Sequence, residues 1–255
     1  MAALTHAARH IDASEGTPEA DWLPWLASAG LSTVAAESLV PDGARAVVVA
    51  PHPDDEVLAV GGLLASLATL QREICIVAVT DGTASHPESN QWSALDLART
   101  RPAETRRALQ RLGISQEPVR LGLPDGRLQA LRSQLEDRLL PLLRPDDTVF
   151  TTWRLDGHPD HEATGMACVD AAARIGARVV EAPVWAWHWA RPNDPRMPWA
   201  RARLLALDAE SSQRKRLATQ AFESQLRPDP STGAGPVLRA STVARAARPF
   251  EVMFP

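Results

Sequence analysis

The chain has 255 residues, of which 45% are hydrophobic, so it is long enough to bury the core of one sizeable α/β domain. A formal net charge of −4 and a sequence pI near 6.0 give no basic field for nucleic acid, so we expect no nucleic-acid partner. No stretch reaches the about 18 apolar residues that a membrane span needs, and the N-terminus lacks the apolar core of a signal peptide. We therefore expect a cytoplasmic protein with one domain over residues 1–255, in which residues 1–40 form an extension packed on the rest.

Strands and helices alternate along the chain from residue 44 onward. Apolar, mostly β-branched runs predict strands at 44–50, 74–80, 118–123 and 147–153, and a fifth strand within 177–189. Helical spacing of apolar residues predicts helices at 56–70, 94–112, 128–140, 161–175 and 208–225. This alternation implies a Rossmann-like three-layer α/β fold, with a mainly parallel sheet and helices on both faces. In such sheets, ligands bind beyond the carboxyl ends of the strands.

Two local expectations concern the second helix and the C-terminal tail. Proline is tolerated in the first turn of a helix, so Pro102 favours a start of the second helix near that residue instead of at Ala94. The tail beyond Leu226 is rich in Pro, Gly and Arg, and we expect it to form a loop with one late strand near Val243.

Two short motifs, "HPDD" at 52–55 and "HPDH" at 158–161, closely follow predicted strands and therefore fall at the same edge of the sheet. Each places two potential ligands three residues apart where a loop enters a helix, so that both side chains can face one point. A divalent metal would supply the positive charge that these clustered acids require. The candidate ligands are His52, Asp55, His158 and His161, with Asp54 and Asp160 beside them.

The residue types narrow the kind of metal site without identifying the metal. Two histidines and one carboxylate with an open position are typical of catalytic zinc, and the chain has no cysteine pair of the kind that closes a structural zinc site. The same ligands also suit non-haem Fe(II). An ordinary turn with acids capping a helix would explain either motif alone. The presence of both motifs at matching strand ends favours the metal site.

Five segments, in order, resemble the PIG-L/LmbE-like family of zinc-dependent N-acetylglucosaminyl deacetylases. They read "APHPDDEVLAVGG", "VTDGTASHP", "RPAETRRALQRLG", "LGLPDG" and "DGHPDHEATG", and the resemblance covers roughly residues 44–226. Family members act in mycothiol, bacillithiol and glycosylphosphatidylinositol-anchor synthesis and in some antibiotic pathways. The resemblance implies removal of an N-acetyl group from an amino-sugar-type substrate. The expected cofactor is Zn²⁺, with Fe²⁺ or another divalent metal as the alternative.

The resemblance also implies roles for the motif residues. His52, Asp55 and His161 would bind the metal, and Asp54 would be the general base that takes a proton from the attacking water. His158 would either stabilise the oxyanion in its protonated form or protonate the leaving amine, and the sequence does not choose between these roles.

Three further residues each have a functional and a purely structural interpretation. Asp160 fits an acid that orients or charges a neighbouring imidazole, with helix capping as the alternative. By resemblance, Arg101 and Asp125 would contact the hydroxyls of a sugar, and each could equally be an ordinary surface or turn residue.

The segment "WAWHWA", residues 185–190, is interpreted as a strand with its tryptophans on one face and His188 on the other. We expect the indoles to pack in the core or at a subunit interface, and the alternative is an aromatic platform for an acyl chain, a sugar face or an aglycone. On the face of this strand opposite the indoles, His188 is expected to face the substrate pocket.

The residues and the resemblance leave three functions open. The first is a deacetylase acting on a small-molecule N-acetylated amino sugar or glycoconjugate, and the second is an amidase for a larger N-acyl or thiol-conjugate amide. The third is a non-catalytic metal- or sugar-binding protein of the same fold, which would have no need for an unligated Asp54. A Rossmann dehydrogenase is disfavoured because "AVGGLL" lacks GxGxxG spacing. The sequence leaves open whether the protein forms a homo-oligomer.

Overall fold

The computed structural model describes residues 9–255, so the part of our N-terminal expectations that falls on residues 1–8 lies outside the described residues. The strands are β1 (Ser32–Thr33), β2 (Arg45–Ala50), β3 (Glu73–Ala78), β4 (Val119–Arg120), β5 (Thr148–Thr152), β6 (Arg178–Ala182), β7 (Arg203–Ala206) and β8 (Phe250–Met253). The helices are α1 (Glu19–Ser28), α2 (Ala36–Leu39), α3 (Asp55–Thr69), α4 (Ala94–Leu112), α5 (Arg132–Leu139), α6 (Pro159–Ile175), α7 (Ala186–Trp189), α8 (Ala209–Thr219), α9 (Glu223–Leu226) and α10 (Ala240–Ala246). Short 3-10 turns occupy Leu140–Leu142 and Trp199–Arg201.

The central sheet has the strand order β4-β3-β2-β5-β6 within residues 9–255, and its pairs are parallel. Its middle strand, β2, places Ala46 opposite Ile74 of β3 and Thr148 of β5. Every residue of β2 and β5 is buried, as expected for parallel strands covered on both faces. The prediction of a mainly parallel sheet with helices on both faces is confirmed.

Alternate residues of β2 face two different hydrophobic clusters. Val48 packs in a cluster with Leu64 of α3, whereas Val47 and Val49 pack in a cluster with Leu135 of α5. Helices α3, α4 and α8 contact one another, and α5 contacts α6. The sheet therefore lies between two helical layers.

The order in which the chain adds strands to the sheet reverses between β2 and β5. From β2 the chain continues to β3 and β4 on one side, whereas β5 leads to β6 on the other. The carboxyl ends of neighbouring strands that diverge in this way enclose a crevice. This topology brings the HPDD and HPDH motifs together.

A second, three-stranded sheet joins the two ends of the described chain. Strand β7 pairs in parallel with β1 and antiparallel with β8. Helix α1 buries Trp22, whose Nε1 donates a hydrogen bond to the Trp187 carbonyl at 3.0 Å. Helix α1 thus contacts the segment that follows β6, at Trp187.

Helix α4 runs from Ala94 through Pro102 to Leu112, so the expected start near Pro102 is wrong. The Ser93 side chain accepts a hydrogen bond from the Asp96 N–H at 3.1 Å and caps the helix upstream of the proline. Leu97, in the turns before the proline, is fully buried. Capping and burial together outweigh the one hydrogen bond that Pro102 cannot donate.

Three other boundaries differ from expectation. Val243 lies in α10, and the late strand is β8, which pairs with β7. The helix expected over 208–225 is divided into α8 and α9. The segment 185–190 is not a strand, because β6 ends at Ala182 and the chain turns into α7.

None of the helices within residues 9–255 is long and apolar enough to cross a membrane.

Helix α3 is interrupted at Val60, whose φ of −138° and ψ of 24° are not helical. In a regular helix, the Gly62 N–H would donate to the Leu58 carbonyl. Here the Gly62 N–H donates to Glu251 Oε1 at 2.6 Å, and Lys215 Nζ donates to the Leu58 carbonyl at 3.2 Å. Two side chains thus satisfy the backbone groups that the interruption exposes.

Glu251 and Lys215 also form a buried ion pair with 2.6 Å between Nζ and Oε1. Glu251 Oε2 accepts a further hydrogen bond, from the Leu63 N–H at 2.9 Å. Both side chains are almost fully buried, so neither charge has water to replace its partner. The pair therefore stabilises the bend of α3, whose first turn carries Asp55.

We expect Lys215→Met and Glu251→Gln each to lower the free energy of unfolding by about 3–5 kcal/mol, because each leaves a buried group unpaired. The double variant should lose less than the sum of the two. Arg174→Met, in the exposed ion pair with Glu136, is the control and should cost less than about 1 kcal/mol. Urea denaturation measures all four variants, and strictly additive losses would contradict the ion-pair role.

Candidate active site

A cavity of about 230 Å³ lies at the carboxyl ends of β2 and β5. It brings together the side chains of the two motifs, which are His52, Asp54, Asp55, His158 and His161. Arg101 and Asp125, from the loops and helix beside β3 and β4, line it as well.

Each motif is positioned by the turn that joins a strand to a helix. β2 ends at Ala50 and α3 begins at Asp55, with the Asp55 N–H donating to the His52 carbonyl at 3.3 Å. His158 caps α6, because its Nδ1 accepts a hydrogen bond from the Asp160 N–H at 3.3 Å. Both turns place motif side chains in the cavity, among them Asp55 and His161.

Asp55 stands between two of the predicted metal ligands. Its Oδ2 lies 3.1 Å from His52 Nδ1 and 3.2 Å from His161 Nε2. His161 Nε2 is buried and makes no hydrogen bond, although the Asp55 oxygen is near. One nitrogen from each ring and one oxygen are a donor set that suits zinc. His52, Asp55 and His161 could therefore hold a divalent metal ion.

The electrostatics of these three residues also favour a cation. Burial raises the pKa of Asp55, but the adjacent His161 and His52 outweigh it and hold that pKa well below its ordinary value. Burial lowers the pKa of His161, but Asp55 and Asp156 outweigh it and raise the pKa to about 9. The acids around the imidazoles thus stabilise positive charge at this point.

Asp156 is a site residue that our sequence analysis missed. Its Oδ2 accepts hydrogen bonds from His161 Nδ1 at 2.8 Å and from the Trp185 N–H at 2.9 Å, and its Oδ1 accepts from the Val184 and Ala186 N–H groups. Because His161 Nδ1 donates to this carboxylate, Nε2 is the ring nitrogen that faces the cavity. The sequence feature that could have identified Asp156 is its position, two residues before the HPDH motif.

Asp160 and Asp125 lie on the other side of the His52 ring. Asp160 Oδ2 is 3.3 Å from His52 Nε2 and accepts from the Gly126 N–H at 2.7 Å. Asp125 Oδ1 is 3.2 Å from His52 Nε2, and its Oδ2 accepts from the Ala84 N–H at 2.7 Å. Burial raises the pKa of Asp125, but the hydrogen bond and charge of His52 outweigh it and lower the pKa to about 2.

Two groups of donor atoms lie close enough together to share an ion. His52 forms one with His158 and His161, and the second consists of His52, Asp125 and Asp160. Backbone N–H groups donate to both carboxylates of this second group, and one also donates to Asp55, whose Oδ2 accepts from the His52 N–H at 3.1 Å. Backbone hydrogen bonds do not separate the two carboxylates from Asp55, and His52, Asp55 and His161 stay the predicted metal ligands.

Asp54 is held in an unusual backbone conformation, with φ at 124°. Arg101 Nη2 donates to Asp54 Oδ2 at 3.1 Å and to the Pro53 carbonyl at 2.6 Å, and Nη1 donates to the Gly82 carbonyl at 2.8 Å. Arg101 is only 3% exposed, so it holds Asp54 and its turn in place. Contact of Arg101 with a sugar stays a prediction.

Burial gives Asp54 and His158 opposite changes in pKa. It raises the pKa of Asp54 to about 7, against the charge of Arg101. It lowers the pKa of His158 to about 3, together with the charges of His161 and His52. His158 is therefore neutral, and since its Nδ1 accepts a hydrogen bond, its Nε2 carries the proton.

The structure does not bring His188 into this cavity. Its Nε2 lies 3.2 Å from Asp12 Oδ1, and it lines a separate cavity formed with the N-terminal segment. The physical reason is that 186–189 form a helical turn, so the strand alternation that would have aimed His188 at the substrate does not exist. Trp185 lines the active-site cavity from this segment.

Gly165 is the fourth residue after the HPDH motif, and it lets α6 approach the loop that precedes this helix. A Cβ on this residue would lie 2.6 Å from the Thr152 carbonyl oxygen and 2.8 Å from the Arg154 nitrogen. Backbone atoms cannot move aside as a flexible side chain would, so only glycine permits this contact between α6 and the loop that leads to Asp156.

Comparisons with known proteins agree with this geometry. The family described as "PIG-L: GlcNAc-PI de-N-acetylase" matches residues 47–172, which include both motifs. No curated protein matches the chain.

Three solved structures share the fold. A deacetylase of the teicoplanin biosynthesis pathway has a TM-score of 0.64 and 20% identity, over 83% of this chain and 97% of that one. The A40926 pseudoaglycone deacetylase has a TM-score of 0.59 and 24% identity, over 84% and 97%. The N,N'-diacetylchitobiose deacetylase of Pyrococcus horikoshii has a TM-score of 0.55 and 22% identity, over 72% and 71%. Identities this low show likeness of fold alone.

We expect Gly165→Ala to push α6 away from the loop at 152–154, which would lower both the melting temperature and the metal content of the protein. Gly235→Ala is the matched control, since a Cβ there meets nothing within 4 Å. Thermal unfolding and elemental analysis of both variants check this. A Gly165→Ala protein as stable and as metal-rich as the control would show that the close approach is unimportant.

Proposed function

Because this chain belongs to the PIG-L/LmbE-like family, we propose that it is a metal-dependent hydrolase that removes an N-acetyl group from an amino-sugar-type substrate. The observation that carries the proposal is the geometry around Asp55. Its Oδ2 approaches ring nitrogens of His52 and His161 in one cavity, and the carboxylate of Asp54 stands beside them without belonging to that donor set.

His52, Asp55 and His161 would hold the ion, with Zn²⁺ as the expected metal and Fe²⁺ or another divalent metal as the alternative. When bound, such an ion lowers the pKa of water and polarises a carbonyl group. The remaining steps belong to the chain's own residues.

Asp54 is the proposed general base. Its carboxylate lines the cavity, and Arg101 fixes its Oδ2 from the protein side. It takes a proton from the attacking water as the new C–O bond forms at the amide carbonyl carbon. Asp54 then returns this proton to the leaving nitrogen as the C–N bond breaks, which gives the free amine and acetic acid, and the acid ionises to acetate.

His158 is the proposed hydrogen-bond donor to the carbonyl oxygen. Its Nδ1 accepts from the Asp160 N–H, so a neutral ring presents Nε2–H as a donor. A donor fixed by a helix cap needs little reorganisation as negative charge develops on the oxygen. This favours oxyanion stabilisation over protonation of the leaving amine, but by a neutral ring and not by the protonated ring that the sequence led us to expect.

Asp125 is the proposed contact for a hydroxyl group of the substrate. Its carboxylate lines the cavity, and the Ala84 N–H holds its Oδ2 in place. A fixed carboxylate beside the candidate metal ligands is a suitable acceptor for a sugar hydroxyl.

Two substitutions should separate metal binding from chemistry. We expect Asp54→Asn to keep the metal and to lose about 10²- to 10⁴-fold in turnover, because the amide cannot accept a proton. His52→Ala should lose the metal itself. Elemental analysis and acetate release from N-acetylglucosamine derivatives, with and without restored Zn²⁺, check both. An empty Asp54→Asn protein together with a metal-filled His52→Ala protein would overturn the assignment.

Arg101→Lys tests whether this arginine positions Asp54 or binds the sugar. Lysine keeps the charge but cannot reproduce the forked hydrogen bonds, so we expect kcat to fall about 10-fold or more with little change in KM. Arg106→Lys, on the exposed side of the same helix, is the control. A rise in KM with unchanged kcat would instead assign Arg101 to the substrate.

A further inference from the structure

The active-site cavity has a charged side and an apolar side, and they come from different parts of the chain. The histidines and acids lie between residues 52 and 161, within the segment that matches the family. The apolar side is formed by Trp185, Val237 and Leu238, which all follow that segment, and by Leu58 of α3. Three of the four residues of this apolar wall therefore lie outside the segment that contains the histidines and acids.

Trp185 differs from the other indoles of its segment. Trp187 is 6% exposed and packs edge-on against Trp22, with 4.9 Å between the ring centroids. Trp189 stacks on Trp153 at 6.3 Å and lines the cavity beside the N-terminal segment. Trp185 is half-buried and lines the active-site cavity instead. Core packing thus accounts for Trp187, whereas Trp185 also contacts the His188 ring, with 6.2 Å between the ring centroids, and keeps an exposed part at the active-site cavity.

The wall is attached firmly to the candidate metal site. Asp156 Oδ2 accepts hydrogen bonds from both the Trp185 N–H and His161 Nδ1, so the indole and the ring share one anchor. On the other side of the wall, the Leu238 N–H donates to the Gln225 carbonyl at 2.9 Å. A preformed wall loses little conformational entropy when a ligand covers it.

We propose that this wall, formed by Leu58, Trp185, Val237 and Leu238, is a subsite for an apolar group that the substrate carries close to the scissile amide. The substrate class is then an N-acyl amino sugar with an alkyl or aryl substituent, not a small, wholly polar N-acetyl sugar. This inference rests on the proposed hydrolase function.

Physical chemistry supports this class of substrate. Covering an indole face and three aliphatic side chains removes apolar surface from water, and a polar sugar edge would not exploit that surface. The cavity, at about 230 Å³, is smaller than the roughly 300–1,000 Å³ typical of sites for drug-sized ligands. It suits one ring or a short chain beside the amide, and a longer substrate would extend beyond its mouth.

The apolar group can be attached through the acyl carbon or through the glycosidic oxygen, and two series of compounds separate these sources. One series extends the acyl group of N-acetylglucosamine to butyryl and hexanoyl, and the other replaces a methyl glycoside by phenyl and octyl glycosides. With the Zn²⁺-restored protein, we expect kcat/KM to rise about 10-fold or more along one series. Parent compounds that are the best substrates in both series would overturn the proposal.

Variants test the wall itself. Trp185→Ala should bring the ratio of kcat/KM between the apolar and parent compounds close to one, and Trp185→Leu should keep part of it. Trp25→Ala is the control, since this half-buried indole packs on Trp199 at 4.4 Å, away from the cavity, and should keep the full ratio. An equal loss on every compound in Trp185→Ala would contradict a role in selecting the apolar group.

A binding measurement keeps this test separate from the test of hydrolysis. Calorimetric titration of phenyl and methyl glycosides should show tighter binding of the phenyl compound to the wild type, and this preference should disappear in Trp185→Ala. Equal affinities in the wild type would overturn the subsite. Binding with the expected preference but without turnover would overturn the proposed hydrolase function and leave the subsite standing.

Discussion

The buried carboxylate of Asp156 is the contact on which the site depends. It is fully buried, and its two oxygens accept one hydrogen bond from His161 and three from the backbone of residues 184–186. One group thus sets the direction of a candidate metal ligand and the turn that follows β6. A buried carboxylate is stable only with such partners, so ring, turn and carboxylate hold one another in place.

The concentration of charge at the strand ends explains much of the surrounding structure. Asp54, Asp55 and Asp160 are almost completely buried, and each has donors or positive groups around it. Arg101 approaches so closely that a Cβ on Gly82 would lie 1.9 Å from its Nη1. Further along α3, the pair of Lys215 and Glu251 replaces helical hydrogen bonds at Val60. These charged side chains are tolerated in the interior because each has at least one hydrogen-bonded or charged partner.

Chemistry and specificity are distributed unequally along the chain. The segment 47–172 contains the candidate ligands, the proposed base and the proposed donor to the oxyanion. The later segments, with Trp185 and Leu238, close the cavity on its other side. Loops and short helices outside a common scaffold can change without disturbing the residues that act on the amide. Three of the four residues of the proposed apolar subsite lie in these later segments.

The sequence by itself determined the parallel sheet, because its buried β-branched runs alternate with helical periodicity, and it placed the two motifs at one sheet edge. Local spacing was sufficient there, since residues i and i+3 at a helix start face one point. Only the tertiary structure decided what depends on distant partners. Pro102 stays within α4 because of capping and burial upstream, 185–190 turn into a helix on Asp156, and Arg101 reaches Asp54 across 47 residues. Such contacts have no local period or composition, so they follow from packing alone.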